Sequence, residues 1–153
     1  MIIKIFEYED FLLHKKEIEN MLLDSYQASF NTLKEDCASF IEKKINSLCE
    51  FMIKKDIILL GALEDNILAG FLWAFENDHF GERRIHINQV VVSEQFRCKG
   101  IGTQLIKEVE KKAKNLNAVS IELIVSENNK SALNMYDKLG FYTERRHMNK
   151  ILS

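Results

Sequence analysis

Proline is missing from this 153-residue chain altogether, and no low-complexity stretch or internal repeat interrupts it, so nothing marks a linker. Residues 1–153 therefore read as one domain. A chain of this length buries roughly 68–70% of its unfolded surface and needs no covalent staple. Cysteine is scarce as well. Cys37, Cys49 and Cys98 are odd in number and show neither CxxC nor histidine-paired spacing, which argues against a disulfide framework and a zinc site and fits a reducing compartment. No metal is expected. The opening residues, Met1-Ile2-Ile3-Lys4-Ile5, read as a strand rather than the apolar core of a secretory signal, and no apolar run approaches membrane-spanning length. The expectation is a cytoplasmic protein with no membrane partner. With a formal net charge of −2 and a pI near 6.1, the chain has no global basic field for nucleic acid. Phosphate binding, if present, is local.

What the chain does have is alternating periodicity. After the first strand, Phe11, Leu12, Ile18, Met21 and Leu22 recur at helical spacing to about Ser25. Thr32 and Glu35 make a possible capping box for a second helix, Leu33 to Ile53, whose stripe holds Cys37, Phe40, Ile41, Ile45, Leu48, Cys49 and Met52. Asp56 to Leu63 and Ile67 to Glu76 read as strands around a Glu64-Asp65-Asn66 turn. A strand from Ile85 to Val92 follows. A third helix carries Ile101, Leu105, Ile106, Val109, Ala113 and Leu116 on one face, and Val119 to Val125 is the next strand. With a last helix and a strand from the tail, the order is βααβββαβαβ, an α+β arrangement.

Between the Ile85–Val92 strand and the third helix lies Arg97-Cys98-Lys99-Gly100-Ile101-Gly102-Thr103. Two glycines one residue apart permit a tight turn and close approach of a ligand to the backbone. The unpaired N–H groups at the start of the helix then face the turn, and Arg97 and Lys99 add charge. The spacing is not a Walker A loop, because Ile101 follows Gly100 and Thr103 follows Gly102. It is not a Rossmann fingerprint either, since Leu105 stands where the third glycine would be. A diphosphate of another kind and a plain strand-to-helix turn both remain open at this point.

A second segment bears on the choice. Asn129, Ala132, Tyr136, Lys138, Gly140 and Phe141 follow another apolar strand, with Ala132, Tyr136 and Leu139 on one helical face and Gly140 placed to end the helix. The chain here resembles the GNAT superfamily of acetyl-CoA-dependent N-acetyltransferases. That family reads R-x-x-G-x-G, here Arg97, Gly100 and Gly102, and N-x-x-A-x-x-x-Y-x-K-x-G-F about thirty residues later. The two motifs occur in order, each after a predicted strand, and the resemblance covers the chain from about Ile85. It implies a twisted mixed sheet with helices on both faces, in which two parallel strands, ending near Val92 and Ser126, splay to admit the pantetheine arm.

By that resemblance, the backbone of Val90, Val91 and Val92 pairs with pantetheine. Arg97, Cys98, Lys99, Gly100, Ile101, Gly102 and Thr103 cradle the diphosphate, while Asn129, Ala132 and Tyr136 complete the acetyl-CoA contact. Transfer to an amine requires a base, since an aliphatic ammonium has a reference pKa of about 10.4. His86 sits on the first splayed strand and shares a face with Asn88 if no bulge intervenes. Imidazole chemistry suits proton transfer near neutrality. Tyr136 stands where many family members place the acid for the departing sulfur. Glu122 is either a second carboxylate facing the amine or a solvent-side residue, and the latter reading is preferred. Asp24, Tyr26, Phe30, Trp73 and Asn88 fall in the region that binds acceptors in relatives.

Cys98 stands where the family often has glycine, and only Tyr142 to Ser153 follow the second motif, space for one strand or a tight hairpin. The exposed sheet edge this implies leads to an expected homodimer. The leading functional expectation is acetyl transfer to a primary amine of a small molecule or peptide. The alternative is a non-catalytic acyl-CoA-binding sensor or interaction module with the same fold.

Overall fold

The sheet carries five strands in sequential order: β1 (Ile2–Ile5), β2 (Ile58–Glu64), β3 (Ile67–His79), β4 (Glu82–Val92) and β5 (Ser120–Leu123). The computed structural model describes residues 1–30 and 34–153; the Thr32–Glu35 capping box and the side chain of Phe30 lie outside the described residues. Strands β1 to β4 pair antiparallel and β4 pairs with β5 in parallel. Every residue from Leu68 to Ala74 is buried, a run that requires cover on both faces of the sheet. Two helices, α1 (Tyr8–Phe30) and α2 (Lys34–Lys54), cover one face, where Phe11, Ile18, Leu22, Ile41 and Leu48 pack with Leu59, Phe71 and Trp73. On the other face, α3 (Ile101–Asn115) presents Ile101, Leu105, Ile106, Val109 and Ala113 as one stripe to Leu60, Leu72, Ile85 and Ile87. The short α4 (Lys130–Lys138) joins that side through Tyr136 and Leu139.

Tight turns fix the register. Asp65 and Asn66, with φ of 49° and 65°, close the expected β2–β3 hairpin. Phe80 and Gly81, with φ of 51° and 81°, close a second one, so β3 and β4 run further than the Glu76 and Ile85 bounds read from sequence. Positive φ at both central residues suits the twist of such hairpins.

Two departures from the expected pattern matter. Ala74 pairs with Ile87 and Trp73 with Gln89, which leaves Asn88 as the extra residue of a β-bulge. The strand is therefore not regular at Asn88, and the simple alternation that put Asn88 on the face of His86 fails. Secondly, the final strand of the expected order is not formed. Residues 142–153 have no regular structure and are exposed throughout, so the observed order is βααβββαβα. The segment Arg145-Arg146-His147 and the neighbouring Asn149-Lys150 leave too few apolar residues to bury a face on their own chain.

Candidate active site

The bulge and the end of β5 together open a cleft. Strands β4 and β5 pair from Arg84–Ser120 to Ile87–Leu123, where β5 stops. Residues 88–92 of β4 continue without a neighbour on that side. The second parallel strand, expected to end near Ser126, thus stops at Leu123. The extra residue also reverses side-chain alternation: Ile85 and Ile87 lie in the α3 core, Val90 and Val92 pack against that same core, and Val91 joins Trp73 on the α1–α2 side. Backbone groups of Val90, Val91 and Val92 consequently border the cleft while their side chains pack on both faces.

At the far end of β4 a single 3-10 turn, Glu94–Phe96, leads into the glycine loop. Arg97 Nε donates to the Val92 carbonyl at 3.2 Å, tying the loop to the strand end. Cys98 is exposed with φ of 61°, and Lys99 lies over the Phe96 ring, 5.2 Å from its centroid. Gly100 is the left-handed N-cap of α3, with φ 76° and ψ 10°, and no side chain caps the helix. The first-turn amides of Ile101, Gly102 and Thr103 thus have no side-chain acceptor of their own, and no heavy atom stands within 4 Å of where a Cβ on Gly100 would be. The space beside Gly100 is thus open where α3 starts uncapped. Gly102 has a different constraint: a Cβ there would meet Met135 Sδ at 3.1 Å, so it also sets the approach of α3 to α4.

On the α1–α2 face beside the cleft, parallel register sets His86 next to Glu122. His86 Nδ1 lies 3.8 Å from Glu122 Oε1, and Asn77 Nδ2 donates to that same oxygen at 2.8 Å. Phe75 tilts against the imidazole with ring centroids 5.1 Å apart. Glu122 therefore faces His86 rather than open solvent. The parallel pairing that brings them together has no local sequence signal.

Tyr136 comes from the opposite face. Its ring packs edge-on to Phe141 at 5.4 Å, and burial pushes its phenol above the ordinary range, so it stays protonated at neutral pH. Asn129 is the N-cap of α4, its Oδ1 accepting from the Ala132 N–H at 3.2 Å.

Of the acceptor-side residues, Tyr26 and Trp73 come together and Asp24 does not, being exposed on α1. The structure adds Lys44 and Gln89, which sequence reasoning missed. Lys44 Nζ donates to Tyr26 Oη at 2.6 Å and lies 5.0, 5.9 and 5.6 Å from the ring centroids of Tyr26, Phe40 and Trp73. Gln89 Nε2 donates to the same phenol at 2.9 Å, which links this cation to the first residue beyond the bulge. No carboxylate pairs with Lys44 among the described residues.

A sheet opened between two parallel strands at a bulge, with a glycine-started helix at the mouth of the opening, is the α+β fold of the acetyltransferases. Residues 16–141 match the model of the acetyltransferase (GNAT) family, and the chain belongs to that family. Among curated proteins it is 32% identical over 81 residues to mouse thialysine N-epsilon-acetyltransferase, covering 52% of this chain and 48% of that one. It is 32% identical over 80 residues to the L-ornithine N5-acetyltransferase of Arabidopsis thaliana, covering 51% and 35%. The chain thus spans less than half the length of these two relatives. Among solved structures, the PaiA N-acetyltransferase of Thermoplasma acidophilum in complex with coenzyme A superposes with a TM-score of 0.79 at 23% identity, over 96% of this chain and 94% of that one.

Proposed function

We propose that the protein transfers an acetyl group from acetyl-CoA to a primary amine of a small molecule or peptide by direct attack within a ternary complex. The observation that carries this reading is the unpaired stretch 88–92 of β4 beside the uncapped start of α3. Backbone groups of Val90 to Val92 hold the pantetheine, and the amides of Ile101 to Thr103, with Arg97 and Lys99, hold the diphosphate. Acetyl-CoA supplies an activated carbonyl and a thiolate leaving group. Glu122 orients His86 through Nδ1, which leaves Nε2 to take the proton from the attacking amine. As the new C–N bond forms and the C–S bond breaks, Tyr136 gives its proton to the departing sulfur.

The activities for which the relatives are named direct the choice of acceptors. Thialysine and ornithine both carry a terminal aliphatic amine on an amino acid, whereas two archaeal relatives are named N-alpha-acetyltransferases. An acceptor panel of ornithine, thialysine, a diamine and a peptide N-terminus, with thiol release from acetyl-CoA as readout, tests the proposal. Turnover with at least one amine that falls in a His86→Ala variant is the expected outcome. Tight CoA binding without turnover on any amine would replace the enzyme by an acyl-CoA sensor.

A further inference from the structure

Strand β3 runs past its expected Glu76 bound, and the added length brings Asn77 to the proposed base. Asn77 pairs across the sheet with Arg84, while His86 pairs with Glu122 on the other side of β4. Arg84, His86, Asn77 and Glu122 thus share one face. The backbones of β3 and β5 lie about 9–10 Å apart, two strand spacings, yet Asn77 Nδ2 donates to Glu122 Oε1 at 2.8 Å, so both side chains reach over β4. A carboxylate has no proton to give, which settles the amide nitrogen as the atom facing it. The same oxygen faces His86. It stands 3.8 Å from Nδ1, beyond hydrogen-bond length.

The other charged groups around the imidazole are engaged elsewhere. Arg84, two residues back on the same strand, is held by Glu82 at 3.3 Å and, from the tail, by Glu144 at 3.8 Å. Phe75 of β3, which tilts against the ring, does not titrate. Lys44 of α2 reaches β4 beyond the bulge, through Tyr26 to Gln89. Asn77 is thus the group that fixes how far Glu122 stands from His86.

We propose that Asn77 is a positioning residue for the acyl-transfer site: its amide holds the Glu122 carboxylate just out of hydrogen-bond contact with His86, so that the imidazole is oriented without being locked into an ion pair. A closed imidazolium–carboxylate pair would keep the ring protonated, and a protonated ring cannot take the amine's proton at Nε2. Opposite charges drawn from 3.8 Å to hydrogen-bond length at a partly exposed site favour the charged ring by about one further pH unit. Asn77 withholds that closure. The role of His86 as base rests on the acyl-transfer reading, whereas the restraint on Glu122 is measurable without turnover.

Nuclear magnetic resonance titration of the full chain, labelled at its histidines, tests this, with His86→Ala identifying the His86 signal. In Asn77→Leu the His86 midpoint should rise by about one pH unit, and the ascending limb of kcat/KM should move with it. In a Glu122→Gln background the same substitution should move neither, because the amide acts through the carboxylate. Asn77→Gln, which keeps the donor, should bring the midpoint back toward the parent value. An unchanged or lowered midpoint in Asn77→Leu overturns the proposal, and so does an equal rise in both backgrounds. A midpoint that rises while the kcat/KM limb stays supports the restraint and removes His86 as the base, which separates the two failures. Should Asn77→Leu fold poorly, Asn77→Ser, too short to span β4, gives the same comparison.

Discussion

At the scale of single residues, Tyr136 packs on the α3 side of the sheet and His86 pairs with Glu122, and because the roles proposed for them differ, their losses should differ in kind. His86→Ala is expected to remove the ascending limb of the kcat/KM profile with pH while CoA affinity, measured by calorimetry, is little changed. Tyr136→Phe should lower kcat by about 10²–10⁴-fold, the usual size of a general-acid contribution. A Tyr136→Phe enzyme of full activity would remove tyrosine from the mechanism. Lys44 makes a sharper statement about the acceptor. Its ammonium is boxed by Tyr26, Phe40 and Trp73 and tied through Tyr26 to Gln89, so a fixed positive charge stands among residues proposed to meet the acceptor. Such a charge attracts an acceptor carboxylate and repels a second ammonium. Lys44→Met should therefore lower the kcat/KM ratio of ornithine to a diamine about tenfold, as expected for charges a few ångströms apart at a partly screened site. An unchanged ratio would remove Lys44 from acceptor selection. Tyr26 and Trp73 were read from the chain as acceptor-side candidates, but the parts of Lys44 and Gln89 could not be. On α2, Lys44 follows Phe40 and Ile41 at the helical repeat and looks like a border residue of the apolar stripe. Only the packing of α1, α2 and the sheet brings its amine to Tyr26.

Elements were more legible than the contacts between them. Apolar residues recurring every three or four positions located α3 within a residue of its end, because the stripe from Ile101 to Ala113 is packed against a single sheet face. Strand ends were less visible. Glu76, Asp78, Glu82 and Arg83 make the outer β3–β4 hairpin polar, and the sequence offers Phe80 where its turn requires a left-handed residue. The bulge at Asn88 was hidden for a related reason: residues 87–92 are all apolar or amide-bearing, so no change of alternation shows. A strand was expected in the tail because Tyr142 to Ser153 leaves room for one, yet the segment forms no ladder with the edge strand β5. Helix α1 offers a test at this scale. Asp10 Oδ2 accepts the Glu7 N–H at 3.0 Å and Oδ1 accepts Lys4 Nζ at 2.6 Å, closing the helix start and fastening it to β1. The hydrogen bond from Lys4 is the largest influence and holds the carboxyl below its ordinary value of 3.8; desolvation opposes it, and the Glu7 amide adds a lesser downward push. A depressed carboxylate contributes stability that is complete above the unfolded value and is lost as pH falls through the lower folded one. Asp10→Ala should cost about 0.5–1 kcal/mol at pH 7, reduced by solvent screening at this exposed site. The gap in Tm between variant and parent should close as the pH is taken below 3.8. A gap that persists unchanged in acid would assign the loss to helix propensity rather than to the carboxylate.

For the whole molecule, the sheet is the shared wall of two cores, and its pairing between β4 and β5 ends at Ile87. Between Arg84 and Ile87, β4 is hydrogen-bonded on both sides; beyond Asn88 only β3 holds it. The α3 helix and the α1–α2 layer are thus coupled through Val90, Val91 and Val92, whose side chains divide between the two cores. A ligand that pairs with this stretch and with the start of α3 binds only the folded chain. Its binding free energy therefore adds to stability, by about 2.7 kcal/mol at a hundredfold excess over Kd. With about 2–4 °C per kcal/mol for a chain of this size, CoA should raise Tm by roughly 5–10 °C. On the proposed reading, pantetheine, which lacks the diphosphate, would engage the unpaired stretch of β4 and leave the α3 amides alone. At equal concentration it should raise Tm much less, and Gly100→Ala should reduce the CoA shift toward the pantetheine value, because an alanine at φ 76° disfavours the left-handed cap that aims those amides. Differential scanning fluorimetry with the two ligands on parent and variant measures all four shifts. Equal shifts for CoA and pantetheine on the parent would show that the glycine loop carries no diphosphate, and would leave the splay as the sole point of attachment.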